Sequence, residues 1–248
     1  MATRFADVAE VSVGIPLTTE GRRATDREPR DVNPRVRSHR AARAMNILIA
    51  SVALVLAAPV MLLFAVLIKL TSPGPIFYSQ PRVGLDRRRS RSRNAYDRRA
   101  RNLGGLPFMI YKFRSMRVNA EAASGAVWAT AGDPRITPIG RFMRKCRIDE
   151  LPQLLNVIRG DMNIVGPRPE RPVIFSRLSQ DIAEYPLRQR AKPGITGWAQ
   201  VNHKYDECVD DVRTKVRYDL EYIERQGMTE DLRIMARTVP VVFLGKGW

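Results

Sequence analysis

The sequence predicts a mainly α protein with a small β component, an α+β class, attached to a membrane by one apolar segment. Three features predict it. A long apolar run occupies residues 46–70, helical periodicity dominates after Thr137, and the extended stretches between them are short and bounded by proline or glycine. At 248 residues the chain is long enough for one full domain with attachments and a sizeable core.

Residues 1–44 carry scattered arginine, proline and acid without sustained apolar periodicity, which predicts a disordered basic segment. The composition then changes abruptly. Residues 45–71 contain the run NILIASVALVLAAPVMLLFAVLIKL, interrupted only by Ser51, Pro59 and Lys69. About 20 apolar residues suffice to cross a bilayer as a helix. The run is too long, and starts too far into the chain, for a cleaved signal peptide. A single span should be basic on one flank only, yet Arg37, Arg40 and Arg43 precede this one while Lys69 and Arg82 follow it. Pro59, near its middle, removes a helical hydrogen bond and bends the helix. Together these favour a re-entrant helix–break–helix that enters one leaflet and returns. An ordinary kinked span is the alternative.

Residues 72–248 form the remaining domain. The stretch TSPGPIFYSQPRVG predicts a proline-marked turn and a β-like run at 76–79, and PFMIYKFRSM (107–116) reads as strand-like. Thr137 is a good N-cap with Pro138 at the first helical position, and Ile139, Phe142, Met143 and Cys146 share a face. A second helix is expected to start around Asp149 and Glu150, with Leu151, Leu154, Leu155 and Ile158 on one face and Gly160 as its stop. Residues 163–202 are rich in turns. Helices are predicted over 210–225, ended by Gly227, and from an N-cap at Thr229 to Pro240; the apolar tail with Trp248 suits a membrane interface.

A formal net charge of +17 points to anionic partners: nucleic acid, acidic lipid or phosphorylated substrates. Between Arg82 and Arg101 nine arginines face only Asp86 and Asp97. This arginine-rich stretch, 86–102, reads as a flexible basic loop near anionic headgroups. Only Tyr96 interleaves it, so nucleic-acid binding is not expected. Cys146 and Cys208 have no metal-ligand spacing and suggest a reducing compartment, and His39 and His203 are too few for a His-based metal or hydrolase site.

The chemistry concentrates in RKCRIDELPQLLNVIRGDMNIVGPRP, residues 144–169. Adjacent acids at a helix start are favoured by the helix field, and Arg144, Lys145 and Arg147 should keep Asp149 and Glu150 ionised. An ionised, poorly solvated carboxylate can attack phosphorus, and its neighbour could ligate Mg²⁺. The competing reading is an N-cap aspartate followed by a first-turn glutamate. Arg168 is bracketed by Pro167 and Pro169 and so is preorganised for bidentate phosphate contact, unless it simply pairs with Asp161 or Glu170. Lys112 and Arg114 alternate on one strand face and could point into the same pocket, or could lie on a solvated surface.

As a set, SPGPIFYSQPRVG, PFMIYKFRSM, DPRITPIGRFMRK, RIDELPQLLNVIRGDMNIVGPRP and KPGITGWAQVN, in this order, resemble the bacterial sugar transferase family of monotopic polyprenyl-phosphate phosphoglycosyl transferases. The resemblance covers about residues 45–244 and is to the family's catalytic core. It implies transfer of a sugar-1-phosphate from a UDP-sugar to undecaprenyl phosphate with release of UMP, through a covalent phosphosugar-aspartyl intermediate, as the first membrane step of exopolysaccharide, O-antigen or capsule-type assembly. By the same resemblance Asp149 is the nucleophile and Glu150 the Mg²⁺-associated residue. Arg144 and Arg168 hold phosphate or nucleotide, Lys112 and Arg114 fall in the KFR motif, and 46–70 is the re-entrant helix. The implied setting is the cytoplasmic face of the bacterial inner membrane, among membrane lipids. Two departures stand out. Where the family has Asn-Gly-Arg, this chain has Asn202-His203-Lys204, so Lys204 takes the arginine's place without its fork. The stretch 86–102 is also longer than the family's turn. Which UDP-sugar is used, and whether the protein is a homo-oligomer, the sequence leaves open. A basic membrane-anchored scaffold and a catalytically silent homologue are the competing classes.

Overall fold

A single helix of 33 residues, α1 (His39–Thr71), carries the apolar run in a computed structural model that describes residues 32–86, 105–122, 132–203 and 209–243. Among these residues it is the one helix long and apolar enough to cross a membrane. It begins inside the segment expected to be disordered, because Ser38 Oγ accepts from Ala41 N and an apolar helix propagates readily into a polar first turn. Just before it, Val32 is fully buried and Arg35 N–H donates to Ile223 O, so 32–44 is ordered against the domain. The helical backbone also continues through Pro59, where the sequence predicts a break. A proline inside a long helix removes one hydrogen bond and need not end the helix.

Both ends of α1 pack onto the same body. On the first half, Ala50 joins Ile110, Leu154, Val157 and Met162 in one apolar cluster. Asn46 Oδ1 there accepts from Ile164 N at 2.6 Å. On the second half, Phe64 and Ile68 pack with Phe113 and Met143. Burying each of those side chains contributes about 1.5–3 kcal/mol. Between the two anchors the surface is apolar and bare, with Val55, Leu56 and Leu62 each about 70% exposed.

The strands are short and paired in twos. β1 (Phe77–Val83) runs antiparallel to β2 (Pro107–Phe113), with Tyr78 opposite Lys112. Pro81 is tolerated because β1 is an edge strand. α2 (Pro138–Lys145) is capped as expected, Thr137 Oγ1 accepting from Gly140 N at 3.0 Å. α3 (Gln153–Arg159) stops at Gly160, whose φ of 94° suits glycine. Its buried face is Gln153, Leu154, Asn156 and Val157, and the expected stripe member Leu155 is 40% exposed. The rotation has a local cause: the Asn156 amide accepts from Tyr111 N and donates to Met109 O, extending the edge of β2.

The turn-rich stretch holds elements that its composition hid. β3 (Asn163–Val165) pairs in parallel with β4 (Gly194–Thr196), and α4 (Pro172–Asp181), a 3-10 turn at Tyr185–Arg190 and α5 (Trp198–Asn202) lie around them. α6 (Val209–Arg225) and α7 (Met228–Phe243) follow, the latter starting one residue before the expected cap and continuing through Pro240. Their inner faces join α4 in the largest core, around Phe175, Leu178, Val216, Leu220, Ile223 and Ile234. The arginine-rich stretch from residue 87 onward and the tail with Trp248 lie outside the described residues.

Candidate active site

The last turn of α2 carries Arg144 and Lys145, and after Cys146 the chain reverses at Arg147, whose φ of 57° is left-handed. A side chain there costs about 1–2 kcal/mol, so the surrounding contacts must hold it. Ile148–Glu150 close a 3-10 turn, with Glu150 N–H donating to Arg147 O at 3.1 Å. Pro152 then leads into α3. Asp149 and Glu150 therefore stand one turn ahead of the helix they were expected to begin, each 6% exposed. Asp149 caps no helix N–H among the described residues, and its Oδ1 is buried without a hydrogen-bond partner.

Glu150 is the opposite case. Its Oε1 accepts from Lys112 Nζ at 2.9 Å and from Arg168 Nη2 at 2.5 Å, and its Oε2 accepts from Arg168 Nη1 at 3.3 Å. One carboxylate thus joins the 3-10 turn to β2 and to the loop after β3. That loop arrives because β3 and β4 meet with backbones in contact. A Cβ on Gly194 would lie 2.1 Å from Gly166 N, an approach only glycine permits. Pro167 and Pro169 then stiffen the backbone on either side of Arg168.

The two acids titrate in opposite directions. Burial pushes the Asp149 carboxyl up and the Glu150 charge adds to it; Lys112, Arg144 and Arg147 pull back, leaving it at about 6. Burial also raises Glu150, but Arg168, Lys112 and Arg147 outweigh it and hold it well below the usual carboxylate range. Burial lowers Lys112 against the pull of Glu150, while Glu150 raises Arg168 despite burial. The cations expected to favour ionisation of both acids prevail at Glu150, but at Asp149 burial and the Glu150 charge outweigh them.

Lys112, Arg144, Asp149, Glu150 and Arg168 line one cavity of about 790 Å³. Arg114 touches its wall, yet its guanidinium faces elsewhere, donating to Pro73 O at 2.8 Å and to Ser72 O at 2.7 Å. It clamps the exit of α1 and does not reach the carboxylates. Lys204 lies outside the described residues; its neighbour His203 lines the cavity. Sequence reasoning missed Arg82, Arg188 and Asp219. Arg82, read only as part of a basic flank, lines the cavity and pairs with Glu170 at 3.2 Å. Arg188 and Asp219 form a fully buried ion pair at 2.6 Å. One signal was available: Asp219 falls in the apolar phase of α6 with Val212, Val216, Leu220 and Ile223.

Among the described residues no three His, Cys, Asp or Glu side chains gather as a metal cage. Mg²⁺ does not need one, because it binds through one or two carboxylates plus substrate phosphates. Asp149 Oδ1 has no partner and Glu150 Oε2 carries only the 3.3 Å contact, so the pair fits a cation that arrives with a phosphate-bearing substrate. Nine arginines and lysines against four carboxylates make the cavity a site for anions. Within it, one acid is paired with cations and the other keeps a buried carboxylate oxygen without a hydrogen-bond partner.

A family model described as bacterial sugar transferase matches residues 37–245. The chain is 42% identical over 205 residues to a UDP-N-acetylgalactosamine-undecaprenyl-phosphate N-acetylgalactosaminephosphotransferase of Aeromonas hydrophila, covering 83% of this chain and 44% of that protein. It is 39% identical to a UDP-glucose:undecaprenyl-phosphate glucose-1-phosphate transferase of Escherichia coli (82% of this chain, 40% of that protein). A protein of the same description from Caulobacter vibrioides is 40% identical over 84% of this chain and 71% of its own length. The chain thus spans less than half the length of the first two relatives.

Proposed function

We propose a function from one premise: the chain belongs to the bacterial sugar transferase family. It transfers a sugar-1-phosphate from a UDP-sugar to undecaprenyl phosphate and releases UMP, opening the assembly of an exopolysaccharide, O-antigen or capsule-type glycan. The observation that carries this reading is the contrast within the acid pair: Glu150 is clamped by Lys112 and Arg168, while the buried Asp149 Oδ1 has no partner.

Asp149 attacks the sugar-bearing phosphorus of the UDP-sugar. An O–P bond to the carboxylate forms, and the bond from that phosphorus to the bridging oxygen breaks, the oxygen leaving with UMP. A phosphate oxygen of undecaprenyl phosphate then attacks the same phosphorus and displaces Asp149 as a carboxylate. Neither step requires a proton at neutral pH. Arg144 and Arg168 stabilise charge on the transferred phosphoryl group, and Lys112 keeps Glu150 ionised beside it. Mg²⁺, held by Glu150 together with the diphosphate, supplies further charge neutralisation when bound.

The membrane arrangement follows from α1. A straight helix of 33 residues is about 50 Å long, and a span would carry its ends to opposite faces of a hydrocarbon core about 30 Å thick. Here Asn46 and Ile68 pack on one body while the apolar middle is bare, which supports a re-entrant course in which α1 bends at Pro59 without breaking; the cytoplasmic face of the inner membrane is proposed from the family alone. Such a course keeps a soluble nucleotide sugar and a lipid phosphate within reach of one cavity.

The test is to incubate the purified full chain with UDP-glucose or UDP-N-acetylgalactosamine and Mg²⁺, without lipid acceptor. One UMP per chain and a phosphosugar mass on the Asp149 peptide are expected. An Asp149→Asn variant that keeps full turnover would sink the reading.

A further inference from the structure

The loop that presents Arg168 has no strand partner along its middle, yet four successive carbonyls in it are occupied. Gly194 N–H donates to Pro167 O at 3.0 Å and Val83 N–H to Glu170 O at 2.9 Å, both ordinary backbone contacts. The two carbonyls between them are held by side chains. Arg188 Nη2 donates to Arg168 O at 3.0 Å, and Arg82 Nη1 donates to Pro169 O at 3.1 Å. Each arginine is fixed in turn. Arg188 donates to Asp219 Oδ2 at 2.6 Å and to the Tyr185 hydroxyl at 2.9 Å, and its guanidinium lies over the Tyr185 ring. Arg82 donates to Glu170 Oε1 at 3.2 Å and to Gln80 Oε1 at 3.1 Å.

We propose that Arg188 and Arg82 are positioning residues for phosphoryl transfer, holding the backbone of Arg168 and Pro169 so that the Arg168 fork meets Glu150 and the transferred phosphate. This deepens the proposed function and rests on the role given there to Arg168. Stability alone is a poor reason for these ion pairs. A buried pair such as Arg188–Asp219, 1% and 2% exposed, is often no better than apolar side chains of similar size. What an apolar pair cannot do is donate to the Arg168 carbonyl, as Arg188 does, and an apolar residue at 82 could not donate to that of Pro169. Guanidinium suits the task because its five donors are fixed in one plane, so one side chain can take an acid and a carbonyl at set angles. The result is a continuous path: Asp219 holds Arg188, Arg188 and Arg82 hold the loop, and the loop holds Arg168 on Glu150.

The test is a double-mutant cycle on UMP release by the full chain in detergent. Arg188→Met combined with Asp219→Leu removes both charges of the buried pair and keeps its volume. The expected loss in kcat/KM is about tenfold to hundredfold, the scale of a misplaced group near 1 Å. That loss should vanish in an Arg168→Ala background, where nothing remains to be positioned. The loss should fall on kcat, with KM for the UDP-sugar within about threefold, as in Arg168→Ala, because the interaction lost is one made to the transferred phosphate in the transition state. Losses that multiply in the Arg168→Ala background, or that fall on KM alone, overturn the proposal. Should the pair variant not elute as a folded species, Arg82→Met with Glu170→Gln decides by the same cycle. A wild-type chain that releases no UMP would overturn the underlying function and this role with it, whereas release with multiplying losses overturns the positioning role alone.

Discussion

Replacing Asp149 with asparagine should abolish UMP release and at the same time make the protein more stable. The side chain is 6% exposed, its Oδ1 has no hydrogen-bond partner, and burial beside Glu150 carries its carboxyl from 3.8 to about 6. At about 1.4 kcal/mol per tenfold change in proton affinity, that amounts to about 3 kcal/mol. The sign follows from linkage. The folded protein binds this proton more tightly than the unfolded chain, so the cost of ionising Asp149 is absent below 3.8, grows as pH rises, and is complete above about 6. Asparagine keeps the shape and cannot ionise. The assay is the thermal midpoint of wild type and Asp149→Asn in the same detergent from pH 4 to pH 8. At pH 8 the variant should melt higher by about 6–12 °C, taking 2–4 °C per kcal/mol for a chain of this size. The gap should close toward pH 4. A variant that melts at or below wild type at pH 8, or a gap that does not change with pH, refutes the electrostatic account of the nucleophile.

Three further outcomes follow. With Asp149 as the proposed nucleophile, active only when ionised, kcat/KM for UMP release should fall about tenfold between pH 7 and pH 5 with a midpoint at about 6; a rate flat down to pH 4.5 would show that burial does not raise the attacking group. Arg114→Met should lower the thermal midpoint, since it strands the carbonyls of Ser72 and Pro73, while activity per folded molecule stays within about threefold; a hundredfold loss at constant stability would return Arg114 to the phosphate site. In a cysteine-free background, single cysteines at Val36 and Val118, 96% and 52% exposed, should both resist a membrane-impermeant thiol reagent in intact cells and both react after lysis; labelling of one alone in intact cells marks a span and ends the re-entrant reading.

Much of the local structure was legible because local chemistry decides it. Thr137 followed by Pro138 starts α2, Gly160 stops α3, and the helix expected over 210–225 is α6, ending at Arg225 just before Gly227. The strands β3 and β4 were illegible for an equally physical reason. At three residues each they are too short to show alternation, and their pairing depends on Gly166 and Gly194 meeting across 28 positions of sequence. The buried face of α3 was misjudged because an asparagine, Asn156, turns inward to complete the hydrogen bonding of β2.

The candidate site divides along the same line. From the sequence alone came the adjacent acids, the proline-framed Arg168, the basic flanks of the apolar run and the resemblance that joins them, since each is a matter of residue type and spacing. Tertiary structure alone decided which acid is neutralised and which is left open, because that depends on where Lys112 and Arg168 land. It also separated Lys112 in β2 from Arg114 just past its end, by giving the first a carboxylate and the second the end of α1. Charge and preference are written residue by residue, but desolvation and pairing arise only when distant segments close on the same few ångströms.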